Sequence, residues 1–349
     1  MNRPTLSKGS KGAQVALVQG CLECVPLDGD FGSITESAVR AYQSDCGLGA
    51  DGIVGNMTWA ALDEEFDLPP YPPPLPLALP PATRDAILNI AANSKIAKYN
   101  WRDRGVAPAG YINGCAMAWS TIVRRFYTGD PCVAVMAAAS SGNADTDVLA
   151  WYAKEFNALS MDNSEPGIDT LRHLFALQLG LGMRESSGKY CCGRDQSASN
   201  TDGMTCEAGA WQMSWNMSSC NWAMQQLFDM YVDNEDSEIC ARNYFAKNVT
   251  CSSADWACYG SGAGYAYQEL AKSCPAFAAE TTAVGLRYRR QHWGPINRKE
   301  AELRADADLM LGDIQALLQP APPADQIVEV VITVPPGVIV NVTQVPLEV

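Results

Sequence analysis

Residues 68–81 read LPPYPPPLPLALPP, and neither a helix interior nor a central strand can be built through them. Proline has no backbone N–H and fixes φ near −65°, so such a run favours an extended polyproline II path. At about 3 Å per residue it spans roughly 40 Å. The chain must therefore fold as separate units on either side. The reading is a small unit at residues 1–66, a linker at 67–83 and a large unit at 84–319. A second proline cluster, QPAPPAD (Gln319–Asp325), opens a tail at 320–349. There Val328, Val330, Ile332 and Val334 alternate with Glu329, Val331 and Thr333, a period of two, before Pro335-Pro336-Gly337. That pattern predicts a β-hairpin.

The small unit repeats itself. DGDFGSITESAV (Asp28–Val39) matches DGIVGNMTWAAL (Asp51–Leu62) as Asp-Gly-x-x-Gly-x-x-Thr running into a short helix. Asp-Gly supplies a tight turn, and Thr35 and Thr58 are expected to cap the helices that follow. Val15, Val18 and Leu22 lie on one face of an earlier helix, and ESAVRAYQSDCGL between the copies is also amphipathic. Over residues 5–65 these three helices and two turns resemble the peptidoglycan-binding domain found at the ends of many cell-wall hydrolases. Asn56 stands where that family usually has proline. The resemblance implies bacterial peptidoglycan as a partner.

Composition bounds the rest. The 349 residues are 47% hydrophobic and 18% charged, with a net charge of −14. No basic stretch has the density that a nucleic-acid backbone requires, and an acidic surface argues against adhesion to anionic membranes. No run reaches the length of a membrane span, so no insertion is expected. The opening MNRPTLSKGSKG has no apolar core and does not read as a secretory signal. Thirteen cysteines are nevertheless present, ten of them from Cys115 to Cys274. That number predicts an oxidising compartment and a largely paired set, with Cys24 and Cys46 bridged in the small unit and Cys21 free. Cys21–Cys24 is a lone CxxC, histidine is limited to His173 and His292, and HExxH is absent. Neither a metal nor a cofactor is expected.

The large unit reads mostly helical, from Thr83 as the first cap to an amphipathic helix over Arg298–Leu318. Its centre, 186–222, is rich in Gly, Ser, Asn, Cys and Trp, as a loop region would be. Just before it, the apolar run LRHLFALQLGLGM (Leu171–Met183) leads into Arg184-Glu185-Ser186-Ser187-Gly188. A buried helix ending there would bring Glu185 out half-desolvated. Such a carboxyl has a raised pKa and can protonate a leaving oxygen near neutral pH. On residue type alone, a solvated helix-end glutamate paired with Arg184 fits as well.

Taken together, RESSG and EAGAWQMSWN (Glu207–Asn216) resemble the lysozyme-like superfamily, particularly lytic transglycosylases and goose-type lysozymes. The likeness covers roughly thirty residues. It implies Glu185 as general acid and a groove lined at Gly209-Ala210-Trp211-Gln212. Ser214 stands where goose-type lysozymes carry an aspartate. Glu207, Asp195 and Asp202 are candidates for a second carboxylate, the first two favoured. An inverting hydrolase would hold it about 6.5–9.5 Å from the acid, whereas a transglycosylase needs none. Trp211 and Trp215 are expected to stack on sugars, Gln212 and Ser214 to bond N-acetyl groups, and Tyr259 and His292 to border the groove. The fold expected is mainly α: a three-helix wall-binding domain, a larger lysozyme-like α+β domain and the hairpin tail. The expected function is a monomeric, wall-targeted glycosidase acting outside the cytoplasm. It would reach the wall without its own signal, as endolysins of phages that infect Gram-negative bacteria do. A chitinase- or chitosanase-type enzyme, a wall amidase and a non-catalytic wall binder are the rival functions.

Overall fold

The structure is a computed structural model that describes residues 3–24, 28–66, 68, 78–194, 199–234 and 237–320. It is mainly α-helical. The expected tail hairpin and most of the proline-rich linker lie outside those residues.

The small unit holds α1 (Ala13–Cys21), α2 (Ser33–Asp45) and α3 (Asn56–Phe66). Its own apolar cluster contains Leu6, Val15, Val18, Phe31, Val39, Val54, Trp59 and Leu62. The sequence echo is a structural one, built on two glutamines. Gln19 Nε2 donates to Asp28 Oδ1, Asp30 O and Thr35 Oγ1, and Gln19 Oε1 accepts from Gly29 N. Gln43 repeats the set with Asp51, Ile53, Thr58 and Gly52. Thr35 and Thr58 are therefore not helix caps. Both are buried, and each serves as acceptor for the glutamine of the preceding helix.

The large unit begins with α4 (Pro81–Asn93), whose first helical residue is Pro81 rather than one after Thr83. Proline suits this position because the first N–H of a helix has no intrahelical partner. A two-stranded ribbon follows, β1 (Asn100–Trp101) and β2 (Gly105–Val106), paired antiparallel. Then come α5 (Ala109–Tyr127), α6 (Pro131–Ala137), α7 (Val148–Trp151), α8 (Ala153–Ala158), α9 (Ile168–Ser186), α10 (Ala223–Val232), α11 (Arg242–Phe245), α12 (Ser253–Trp256), α13 (Gly262–Ser273), α14 (Pro275–Tyr288), α15 (Gly294–Asn297) and α16 (Ala305–Leu318). Helices α5, α9 and α14 are buried almost throughout, the state expected of helices apolar on every face. Polar side chains lace them to one another and to α16: Tyr111 OH donates to Leu179 O, Trp119 Nε1 to Leu311 O of α16 and Gln178 Nε2 to Ala279 O.

Two expectations are corrected here. The long helix over Arg298–Leu318 is only α16. Residues 298–304 leave the helix because their charges have tertiary partners. Glu300 accepts from Arg298, Glu302 accepts from Tyr99 OH and Arg102 N, and Lys299 takes a left-handed backbone with φ 54°. The cysteines are also mostly unpaired. Cys191–Cys251 and Cys240–Cys274 are disulfides, and the other nine are thiols, Cys24 and Cys46 among them. Cys115 and Cys132 lie buried on α5 and α6, where a thiol packs as a small hydrophobe. Helix packing fixes the unit where a paired cysteine framework was expected. Among the described residues, no helix is long and apolar enough to cross a membrane.

Candidate active site

The apolar run after Gly167 forms α9, with Asp169 in its first turn and Arg184 in its last, each favourable to the helix dipole. Two glycines let this helix enter the core. A Cβ on Gly180 would lie 2.2 Å from Glu302 O, and one on Gly182 2.1 Å from Tyr111 Oη. The helix stops at Ser187, which is left-handed at φ 55°. Ser187 N donates to Met183 O and Gly188 N to Gly182 O, a left-handed closure that satisfies two of the last carbonyls. Gly188 follows at φ +76°, and a Cβ there would meet Tyr111 Cγ at 2.6 Å. Gly188→Ala should therefore destabilise the protein by about 2–4 kcal/mol, through backbone strain and a clash with a fixed ring. Thermal unfolding measures it; an unchanged Tm would contradict this account of the helix end.

This termination sets Glu185 on the final turn, half-buried. Facing it is the turn 208–213, closed by the Ala208–Met213 bridge. Ser186 Oγ donates to Ala210 O at 2.8 Å, Trp211 Nε1 to Gln178 O and Trp293 Nε1 to Trp211 O. Gly209 N and Gln212 Nε2 both donate to Cys192 O. The turn and the end of α9 thus form one rigid piece.

Between them opens a cleft of about 840 Å³, lined by Glu185, Glu207, Gln212, Lys189, Arg194 and Asp255 among others. Its far wall is the segment around α12. Cys191–Cys251 ties that wall to the end of α9, and Lys189 Nζ lies 3.1 Å from Asp255 Oδ2. Burial first, and then the neighbouring Glu207 charge, push the Glu185 carboxyl up to about 7 against Arg104, Arg298 and Arg184, which oppose the shift. A carboxyl poised there carries its proton at neutral pH and can release it to a substrate oxygen.

Known proteins bear on the other end of the chain. Residues 11–62 match the family model described as "Putative peptidoglycan binding domain". A protein of Kitasatospora aureofaciens, described as "Uncharacterized protein in bpoA1 3'region", is 54% identical over 37 residues, 11% of this chain. The match spans 31% of that relative's length. The crystal structure of the Burkholderia AP3 phage endolysin aligns over 90% of this chain and 98% of its own, at 15% identity and a TM-score of 0.17. A likeness at that score carries no weight for the site.

The structure distributes the expected site residues unevenly. Glu185, Glu207 and Gln212 line the one cleft. Gln212 reaches it from a left-handed backbone, φ 47°, with its amide bonded to Gly209 O. Asp195 lies outside the described residues. Asp202 is exposed and accepts from Met204 N, which is turn chemistry. Trp211 and Trp215 cannot stack on a sugar, since each is 2% exposed. Trp211 sits between α9 and Phe245, and Trp215 stacks on Tyr267 at 5.1 Å. Ser214 is buried and bonds Asn216 Oδ1. These three hold the turn from behind. His292 lies behind it too, hydrogen-bonded to the Gln212 backbone and edge-on to Trp293; burial pulls its pKa down. Tyr259 carries the Arg194 guanidinium over its ring at 4.2 Å, so it reaches the cleft through Arg194. Lys189, Arg194 and Asp255 are cleft residues that the sequence did not single out. Lys189 sits inside the RESSGKYCC stretch, whereas Asp255 is 66 residues away and comes near through folding. Among the described residues, no group of three or more His, Cys, Asp or Glu is arranged to hold a metal ion.

Proposed function

We propose that this chain is a wall-targeted peptidoglycan glycosidase, cutting the β-1,4 bond between N-acetylmuramic acid and N-acetylglucosamine. The observation that carries it is a half-buried carboxyl pushed up to about 7, sharing a cleft with a second carboxylate. The match at residues 11–62 supports the wall as the place of action, outside the cytoplasmic membrane.

In this mechanism the glycan lies across the cleft with its scissile oxygen at Glu185. Glu185 gives its proton to that oxygen as the C1–O bond breaks and positive charge develops on the sugar ring. Glu207 stabilises that charge, and in a hydrolytic course it takes a proton from the attacking water. If the sugar's own 6-hydroxyl attacks instead, the product is a 1,6-anhydro end and no water is consumed. Gln212 offers a hydrogen-bonding edge to the sugar. The N-terminal unit, which has its own apolar cluster, raises the local concentration of glycan at the cleft.

Release of glycan fragments with new reducing or 1,6-anhydro sugar ends from purified sacculi tests the proposal, together with sedimentation of a 1–66 fragment on insoluble peptidoglycan. The fragment should sediment and release nothing, while residues 78–349 should cut intact wall less efficiently than the full chain. Release of peptide amines without sugar ends would point to an amidase, and release of neither would point to a binding protein.

A further inference from the structure

Three guanidiniums act on Glu185: Arg104, Arg184 and Arg298. Two have carboxylate partners. Arg184 lies 3.3 Å from Glu300 and 3.7 Å from Asp103, and Arg298 donates to both oxygens of Glu300. Arg104 differs. Its Nη2 donates to the backbone carbonyl of Arg184 at 2.6 Å, and among the described residues it forms no ion pair. The ribbon that carries it is anchored from beneath. Trp101 is 2% exposed, and the Glu302 carboxylate accepts from Tyr99 OH and from Arg102 N, both at 2.8 Å. Arg104 is thus an exposed cation, fixed in direction beside Glu185, and among the described residues no carboxylate closes a salt bridge with it. It is not among the residues that line the 840 Å³ cleft but stands at the Glu185 end of it.

The setting makes that charge notable. The chain as a whole carries −14, which repels an anionic polymer. A glycan bearing carboxylates needs a local cation where it passes the acid; an uncharged glycan does not. We propose that Arg104 is a specificity-determining residue that receives a substrate carboxylate, so that the enzyme selects carboxylate-bearing β-1,4 glycans over neutral ones. The assignment rests on the glycosidase function proposed above and narrows its substrate class. A guanidinium held by one backbone contact keeps its other N–H groups for a second, forked contact with a carboxylate.

The test uses the full chain and two substrates: sacculi with free carboxylates, and the same sacculi after carbodiimide amidation. Wild type should cleave the native material about fivefold more efficiently than the amidated material, the scale of one exposed charge pair. Arg104→Gln should cleave the native and the amidated wall with equal efficiency, the preference being lost in KM. Arg104→Lys should keep part of the preference. Added salt should shrink the wild-type preference, since an exposed pair is screened. If Arg104 acted only through Glu185, Arg104→Gln would change both substrates alike and leave the wild-type preference intact. That result would overturn the assignment. Wild type releasing neither reducing nor 1,6-anhydro sugar ends from either substrate would instead remove the glycosidase function, and the role of Arg104 with it.

Discussion

Glu185→Gln should lower the release of glycan fragments from sacculi by about 10²–10⁴-fold, the usual cost of losing a general acid, with the far-UV spectrum unchanged. Glutamine preserves shape and keeps a hydrogen bond but has no proton to give. The same carboxyl fixes the pH profile. Its pKa is pushed to about 7, so kcat/KM should fall above pH 7, roughly tenfold per pH unit, as the acid form is lost. Stability should respond in the same direction. The folded state holds this proton more tightly than the unfolded chain, whose carboxyl titrates near 4.5. The group's contribution to stability is therefore complete below about 4.5 and is lost as pH rises through 7. Glu185→Gln removes that dependence, so its Tm should gain on wild type as pH rises across this window. A variant both inactive and more stable at pH 8 is what a site that keeps a carboxyl half-desolvated for catalysis produces.

Arg125→Met should cost about 3–5 kcal/mol in chemical denaturation, the typical penalty for breaking a buried ion pair from one side. Arg125 on α5 is 2% exposed and Glu280 on α14 is 0% exposed, and they meet at 2.6 Å. Asp130 accepts from Arg125 Nε at 2.8 Å, and Tyr231 OH donates to Glu280 at 2.5 Å. Methionine would leave two buried carboxylates without their cation. The double variant Arg125→Met, Glu280→Leu should recover part of the loss, because the largest uncompensated charge goes with it. A loss below about 1 kcal/mol in the single variant would show that the network contributes little. Its placement matters to the site. Helix α14 packs beneath the turn 208–213, where a Cβ on Gly209 would lie 3.4 Å from Ala278 Cβ, and Ala279 O holds Gln178 of α9.

What could be read in the sequence was local. The apolar run 171–183 announces a buried helix, and the Arg-Glu-Ser-Ser-Gly that follows ends it within three residues of Glu185. The Asp-Gly echo marks two equivalent turns. The glutamines that hold them were not legible, because Gln19 and Gln43 look like ordinary polar positions on amphipathic helices until the turns fold against them. Trp211 and Trp215 illustrate the reverse error. An aromatic near a catalytic motif suggests stacking on sugar, yet α9, α13 and α14 enclose these rings, and the turn is rigid because they are buried. The cleft wall was hidden for a topological reason. Lys189 and Asp255 meet beside Cys191–Cys251, which closes a separation of 60 residues, and with ten cysteines in the unit no spacing rule selects that pair. Arg104 was hidden because its importance lies in what does not pair with it, which only the placement of Glu300 and Asp103 makes visible.

Mass spectrometry of the soluble products from purified sacculi tests the central claim most directly, run in parallel with wild type and Glu185→Gln. Wild type should release disaccharide-peptides ending in N-acetylmuramic acid, reducing or 1,6-anhydro, and the variant should release almost none. Peptides freed from intact glycan strands, or the same disaccharide products from Glu185→Gln at the wild-type rate, would contradict it.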